Sequence, residues 1–157
     1  MRSFGMFRHS IVILILLTSA PALADTYSID GEFDGCEFGR LYPLLGGGIL
    51  ECQDFEFFYT YSPRVVADGR RVILIDDKEV DAYLHDGSVI ETRISDTFEG
   101  CDFDKRYALD NGLIFVCATY SYSYSYRPQV RIFLVEGMRP RVFIRDKEYR
   151  GSVYRGG

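Results

Sequence analysis

The chain has 157 residues, four cysteines, two histidines, no tryptophan and a formal charge of −5 at neutral pH. That length holds one compact domain or two very small ones. The acidic balance excludes the basic footprint of a nucleic-acid-binding protein, and no segment carries the ~18 consecutive apolar residues of a membrane-spanning helix.

The first predicted element is a leader. Arg2 and Arg8 give a positive n-region, Ile11 to Leu17 an apolar h-region, and Ala22-Leu23-Ala24 an A-x-A cleavage site. This is the plan of a secretory signal peptide over residues 1–24, with an apolar run too short to span a bilayer. Asp25 rather than cysteine follows the cut, which argues against a lipid anchor. The expected location is outside the cytoplasm, in a periplasm or the extracellular space. From Asp25 on, the chain carries 16 basic and 23 acidic residues, net −7. The charge is uneven: Asp25 to Tyr126 is net −12 and Arg127 to Gly157 net +5. The plain reading is that the two parts neutralise each other within one fold.

After the leader the chain repeats itself. The 37 residues from Ile29 align without gaps on those from Ile94, an offset of 65, with 14 identities. These include Phe33/Phe98, Gly35/Gly100, Cys36/Cys101, Tyr42/Tyr107, Gly47/Gly112, Cys52/Cys117, Tyr59/Tyr124, Tyr61/Tyr126 and Pro63/Pro128. Asp77-Lys78-Glu79 matches Asp146-Lys147-Glu148 at an offset of 69, so the second copy gains four residues. A tandem duplication is predicted, with unit one over residues 25–84 and unit two over residues 88–154, joined by His85-Asp86-Gly87.

Each unit reads as antiparallel β. Aromatic and β-branched residues crowd short runs between turn signals at Gly46-Gly47-Gly48, Asp68-Gly69, Asp86-Gly87, Asp110-Asn111-Gly112 and Glu136-Gly137. A strand through the first cysteine is followed by a tight turn and a long strand through the second cysteine into an aromatic run. A proline stop and two shorter strands around Asp-Lys-Glu complete the unit. Units of about 60 residues with this meander suggest all-β, SH3-like small barrels, because closure removes exposed edges. The alternative is one two-sheet β-sandwich.

Both cysteine pairs have C-x15-C spacing, which across a duplication predicts Cys36–Cys52 and Cys101–Cys117, with cross-unit pairing as the alternative. A two-residue turn at Gly46-Gly47 would set Cys52 opposite Leu41 and Cys36 opposite Phe57, so a bulge at Gly35 or a bent strand has to bring the cysteines together. Units this small gain most from such staples.

The aromatic run of unit two is Tyr120-Ser-Tyr-Ser-Tyr-Ser-Tyr126, then Arg127 and Pro128. In an extended strand the tyrosines share one face and Ser121, Ser123 and Ser125 the other. Unit one has Phe55, Phe57, Tyr59 and Tyr61 at the tyrosine positions. Phenylalanine keeps the ring and drops the hydroxyl, so the reading favours burial of this face in a core or between units. The other reading is an exposed platform for stacking or cation–π contact, its binding residues Tyr120, Tyr122, Tyr124, Tyr126 and Arg127.

Other signals are plainer. Asp30 to Gly35 imitates the start of a calcium loop, but Leu41 stands where the loop's glutamate belongs, so a solvated acidic turn is expected and no metal or cofactor. His85, the only histidine after the leader, reads as a turn residue, and Asp76-Asp77 falls at a predicted turn. No cysteine–histidine or serine–histidine–aspartate set stands in a recognisable context. The functional expectation is a small, exported, disulfide-stapled β-rich binding or structural module that recognises an envelope protein or a glycan. The alternative is a hydrolase working with carboxylates alone.

Overall fold

The computed structural model describes residues 24–156, so the leader over residues 1–24 lies, but for Ala24, outside the described residues. The described chain is all strand and turn. Its first half comprises β1 (Asp25–Ser28), β2 (Glu32–Phe33), β3 (Leu41–Pro43), β4 (Ile49–Cys52), β5 (Thr60–Tyr61), β6 (Arg64–Asp68), β7 (Arg71–Ile75) and β8 (Lys78–His85). The second half comprises β9 (Gly87–Arg93), β10 (Thr97–Phe98), β11 (Arg106–Ala108), β12 (Leu113–Cys117), β13 (Ser125–Tyr126), β14 (Gln129–Val135), β15 (Arg141–Ile144), β16 (Lys147–Tyr149) and β17 (Gly151–Arg155).

In the first half an antiparallel sheet runs β1-β6-β7-β8-β4-β3. It curls until its edges meet: Ile29 bridges Leu44, and Leu45 N donates to Ser28 O at 2.9 Å. The second half makes the corresponding pairings, β9 with β14, β14 with β15, β15 with β16, and β11-β12-β17. Ile94 bridges Leu109 as Ile29 bridges Leu44. Where β8 is continuous, its counterpart is broken at Arg150 into β16 and β17, which divides the sheet in two.

Side-chain alternation sets the inward faces. Val65 and Ala67 of β6, and Val80, Ala82 and Leu84 of β8, are buried while their neighbours are more exposed. They pack with Phe33, Tyr42 and Leu50 into one core, and Phe98, Tyr107, Phe115, Val130 and Ile132 belong to a second. A third cluster joins the halves: Leu41 and Ile49 from the first meet Phe133 and Val135 from the second. Strands β4 and β14 are therefore buried on both faces, which explains their near-continuous apolar sequence. His85-Asp86-Gly87 is a turn between two long strands. His85 ends β8 and Gly87 begins β9, and a Cβ on Gly87 would stand 2.4 Å from Leu134 O, so the seam needs glycine there.

The turns follow local chemistry. Asp76 and Asp77 both take positive φ, 45° and 65°, and form the two-residue connection between β7 and β8. At Asp110-Asn111-Gly112 only Gly112 does so, and the loop has three residues rather than two, closed by Leu109 N donating to Leu113 O at 2.8 Å. The same one-residue difference at Gly46 sets Leu41 opposite Glu51 rather than Cys52.

The disulfides are Cys36–Cys52 and Cys101–Cys117, with Cα atoms 5.4 and 5.5 Å apart and no free thiol. A tight turn brings each pair together, rather than a bulge in a straight strand. Arg40 N donates to Glu37 O at 2.8 Å and Gly39 N to Cys52 O at 2.8 Å, so the chain doubles back between the first cysteine and β3. Lys105 N and Asp104 N make the matching bonds in the second half, to Asp102 O and Cys117 O.

Candidate functional site

The aromatic runs after the second cysteine of each half are strapped down at both ends. At the start, Cys36 and Glu56 exchange two backbone hydrogen bonds of 2.7 and 3.0 Å, and Cys101 and Ser121 exchange two of 2.7 and 2.9 Å. At the end, β5 pairs with β2 (Tyr61 opposite Glu32) and β13 with β10 (Tyr126 opposite Thr97). Ser62 and Arg127 then take positive φ, 47° and 46°, and bend the chain before Pro63 and Pro128.

Gly35 and Gly100 make room for this crossing. A Cβ on Gly100 would stand 2.2 Å from Ser121 O and 2.8 Å from Ser123 N, and one on Gly35 would stand 2.5 Å from Glu56 O. Buried phenols stand against the glycine carbonyls: Tyr107 donates to Gly100 O at 2.5 Å, and the Tyr42 hydroxyl, 2.5 Å from Gly35 O, shares its proton with Asp34.

This close backbone crossing decides which face of the run turns in. Burial of the tyrosine face is contradicted. Tyr120, Tyr122, Tyr124 and Tyr126 all point to solvent, Tyr122 at 82% of its full exposure, while Ser121, Ser123 and Ser125 form the partly buried side. Phe55, Phe57, Tyr59 and Tyr61 are exposed in the same way, Phe57 at 80%. One further ring per half, Phe38 and Phe103 at the tight turn, is exposed as well. Of the exposed aromatic side chains, five in each half thus match one another at positions 65 residues apart.

The single ring that turns in is Phe58, 9% exposed and 4.9 Å from Phe33. Its counterpart is Ser123, and in the second half Tyr149 packs on Phe98 instead, at 5.1 Å. Tyr149 corresponds to Val80 of the first half. A large-and-small pair in one half is therefore exchanged for a small-and-large pair in the other. Lysines lie over both rings, Lys78 over Phe58 at 4.1 Å and Lys147 over Tyr149 at 5.3 Å. The interior is filled either way, and the outward rings contribute nothing to it.

The two rows differ in charge. Carboxylates Asp54 and Glu56 interleave the first row and Glu32 flanks it; Thr119, Ser121 and Thr97 replace them in the second. The charge of Glu32 pushes the Tyr59 phenol above its ordinary range. Arg127, next to the tyrosine row, pairs with Asp110 at 2.9 Å. A hydrogen bond from Ser95 and this Arg127 contact hold Asp110 below the usual carboxylate value.

A cleft of about 830 Å³ lies between the halves, lined by Asp30, Glu32, Asp34 and Arg40 from one and by Glu91, Ser125, Gln129, Arg131, Arg145 and Asp146 from the other. Arg40 Nη2 sits 2.5 Å from the Asp34 carboxylate, and Tyr42 Oη lies 2.7 Å from Asp34 Oδ1. Burial pushes the Asp34 carboxyl up, but Tyr42 and Arg40 outweigh it and hold the group below its ordinary value. Burial and then the Asp34 hydrogen bond push the Tyr42 phenol well above its own.

Behind the cleft the seam is tied by charge. Arg141 makes a two-point bond to Glu148 at 2.9 and 2.7 Å and donates to Gly39 O at 2.7 Å across the halves. His85 Nε2 lies 2.8 Å from Glu51 Oε2, and Glu51 Oε1 lies 3.8 Å from Arg141 Nη1 of the second half, so His85 adjoins the seam. Among the described residues no group of three metal-ligating side chains is placed to hold an ion, and no helix is long and apolar enough to cross a membrane.

Searches of family models, curated proteins and solved structures find nothing that matches this chain.

Proposed function

We propose that this protein is an exported binding module, built as two SH3-like barrels in tandem by duplication over residues 25–84 and 88–154, whose two aromatic rows recognise an envelope protein or a glycan. The carrying observation is the repeated exposure of five rings at matching positions in two halves that each pack their own core. Contiguous exposed aromatic surface is uncommon on a small soluble domain and marks interaction surfaces. A single such row is an accident of packing; two, kept through a change of sequence that rearranged the interior beneath them, call for a common use. The paired disulfides and the leader-like N-terminus support export, where such bridges persist. Straps at both ends hold the rings in place before a ligand arrives, which lowers the entropy cost of binding.

The hydrolase reading draws on the carboxylates of the cleft. It requires a carboxyl held protonated as general acid, and Tyr42 and Arg40 push the Asp34 carboxyl in the opposite direction. Binding is the better-supported reading. A tagged protein lacking residues 1–24 is incubated with solubilised material from its native envelope and recovered, alongside a Phe57→Ala/Tyr122→Ala variant with an unchanged melt. Loss of the captured component in the variant supports the proposal, and equal capture by both proteins refutes it. Release of new reducing ends from envelope glycan would favour the hydrolase.

A further inference from the structure

The seam between the halves joins two different faces of one kind of unit. On the first half it uses the outer face of β3, β4 and β8, through Leu41 and Ile49. On the second it uses the outer face of β9, β14 and β15, through Val89, Phe133, Val135 and Phe143. A contact of this kind is heterologous, so one face of each kind is left over. These are the β11-β12-β17 face of the second half and the β1-β6-β7 face of the first. Leu41 and Ile49 are buried in the seam, whereas their counterparts Arg106 and Ile114 are exposed and half-buried.

The free faces differ from the seam in a reciprocal way. At the offset of 65, Arg106 takes the place of Leu41 and Asp68 that of Phe133, while Ile114 keeps the place of Ile49. Apolar residues of the seam thus become a base on one free face and an acid on the other. Arg106 stands opposite Val116, and Ile114 opposite Tyr154, in strands that hold no carboxylate; exposed Arg150 lies just before β17. On the other face Val66 and Leu74 are half-buried cross-strand partners. Beside them is a hollow of about 540 Å³, lined by Asp54, Asp68, Glu79, Asp81, Arg71 and Ile73. Four carboxylates against one guanidinium make it acidic. The halves differ in the same sense: residues 25–84 carry 5 basic and 13 acidic side chains, net −8, and residues 88–154 carry 10 and 9, net +1.

We propose that the free β11-β12-β17 face of one copy docks on the free β1-β6-β7 face of a second copy. The protein then associates head to tail, continuing the alternation of halves begun within one chain. Ile114 and Val116 meet Val66 and Leu74 as a small apolar centre, with Arg106 against Asp68 at its edge. Opposite charges steer the encounter and fix which faces meet. With charges where the seam has Leu41 and Phe133, the contact is weak and falls with salt. Dilute protein is a single copy, with Tyr154 open to solvent. The inference does not draw on the aromatic rows, whose strands β5 and β13 belong to neither face.

Analytical ultracentrifugation of the protein lacking residues 1–24 tests it, over a range of concentrations at low salt and at about 0.5 M salt, where the screening length is about 4 Å. The average mass should rise with concentration at low salt and fall to that of one copy at high salt. Arg106→Glu and Asp68→Arg should each weaken association at least about tenfold. An equal mixture of the two should associate again, because the reversed charge of each meets that of the other. Melts are run beside each measurement, and Glu79→Lys replaces Asp68→Arg if that variant is destabilised. A single-copy mass at every concentration in low salt overturns the proposal, as does a mixture that stays monomeric. Association that survives both reversals but is lost in Phe57→Ala/Tyr122→Ala overturns it too, and assigns self-association to the rows.

Discussion

Exchanging the interior aromatic of one half for that of the other tests how the rows come to face outward. In the second half, Tyr149 fills the space over Phe98 and Ser123 leaves it free; in the first, Phe58 fills it over Phe33 and Val80 leaves it free. A buried ring covers roughly 150–200 Å², which at about 25 cal/mol per Å² is about 4–5 kcal/mol. Valine recovers part of that, so Tyr149→Val should cost about 2–3 kcal/mol. Ser123→Phe alone pushes a second ring into filled space and should cost about 1–3 kcal/mol. The double variant rebuilds the first half's arrangement and should fall within about 1 kcal/mol of the parent, a coupling of at least about 2 kcal/mol. Urea unfolding of the four proteins, followed by tyrosine fluorescence, measures it. Additive losses would show that the two rings do not share a space, and the account of why the serine face turns in would fall.

Gly100→Ala should destabilise the second half by more than about 2 kcal/mol, since its Cβ meets backbone at 2.2 Å and Gly100 already sits at φ 84°; a melt close to the parent's would mean that the run does not cross there. The folded-state value of Asp34 lies below its ordinary 3.8, so its contribution is complete above that value and disappears as pH falls through the lower one. Asp34→Asn should therefore flatten the loss of stability as pH falls through and below the ordinary carboxylate value, and an unchanged acid limb in urea melts would contradict the role given to Tyr42 and Arg40. Tyr42 behaves in the opposite sense. Its raised phenol value keeps it neutral where an ordinary tyrosine ionises, and stability should fall as pH rises above about 10, less so in Tyr42→Phe.

Much of the local structure was legible because it depends on neighbouring residues. Equal cysteine spacing pointed to the correct bridges, and Asp76-Asp77 to a turn. Strand alternation also separated the tyrosines from the serines, but it cannot say which face is inside. The comparison with Phe55 and Phe57 weighed chemical identity, whereas the close approach of the run's backbone to Gly35 and Gly100 was not visible in it. Phe58 was the available clue, an aromatic on the otherwise polar face of the first run. The exchange of Phe58 and Val80 for Ser123 and Tyr149 was hidden because its members lie at different repeat offsets, 65 and 69. The cleft was not legible either, since Glu32 and Glu91 line it from two halves joined by the Leu41, Ile49, Phe133 and Val135 cluster.

The central claim is that the exposed rows are the binding surface, and tyrosine footprinting tests it most directly. The protein is nitrated alone and after incubation with native envelope material, and modification of each tyrosine is read by peptide mass spectrometry. The account predicts that Tyr59, Tyr61, Tyr120, Tyr122, Tyr124 and Tyr126 react in the free protein and are protected together in the bound one, while exposed Tyr154, away from both rows in sequence, stays reactive. Bound protein in which the six row tyrosines react as before would contradict it.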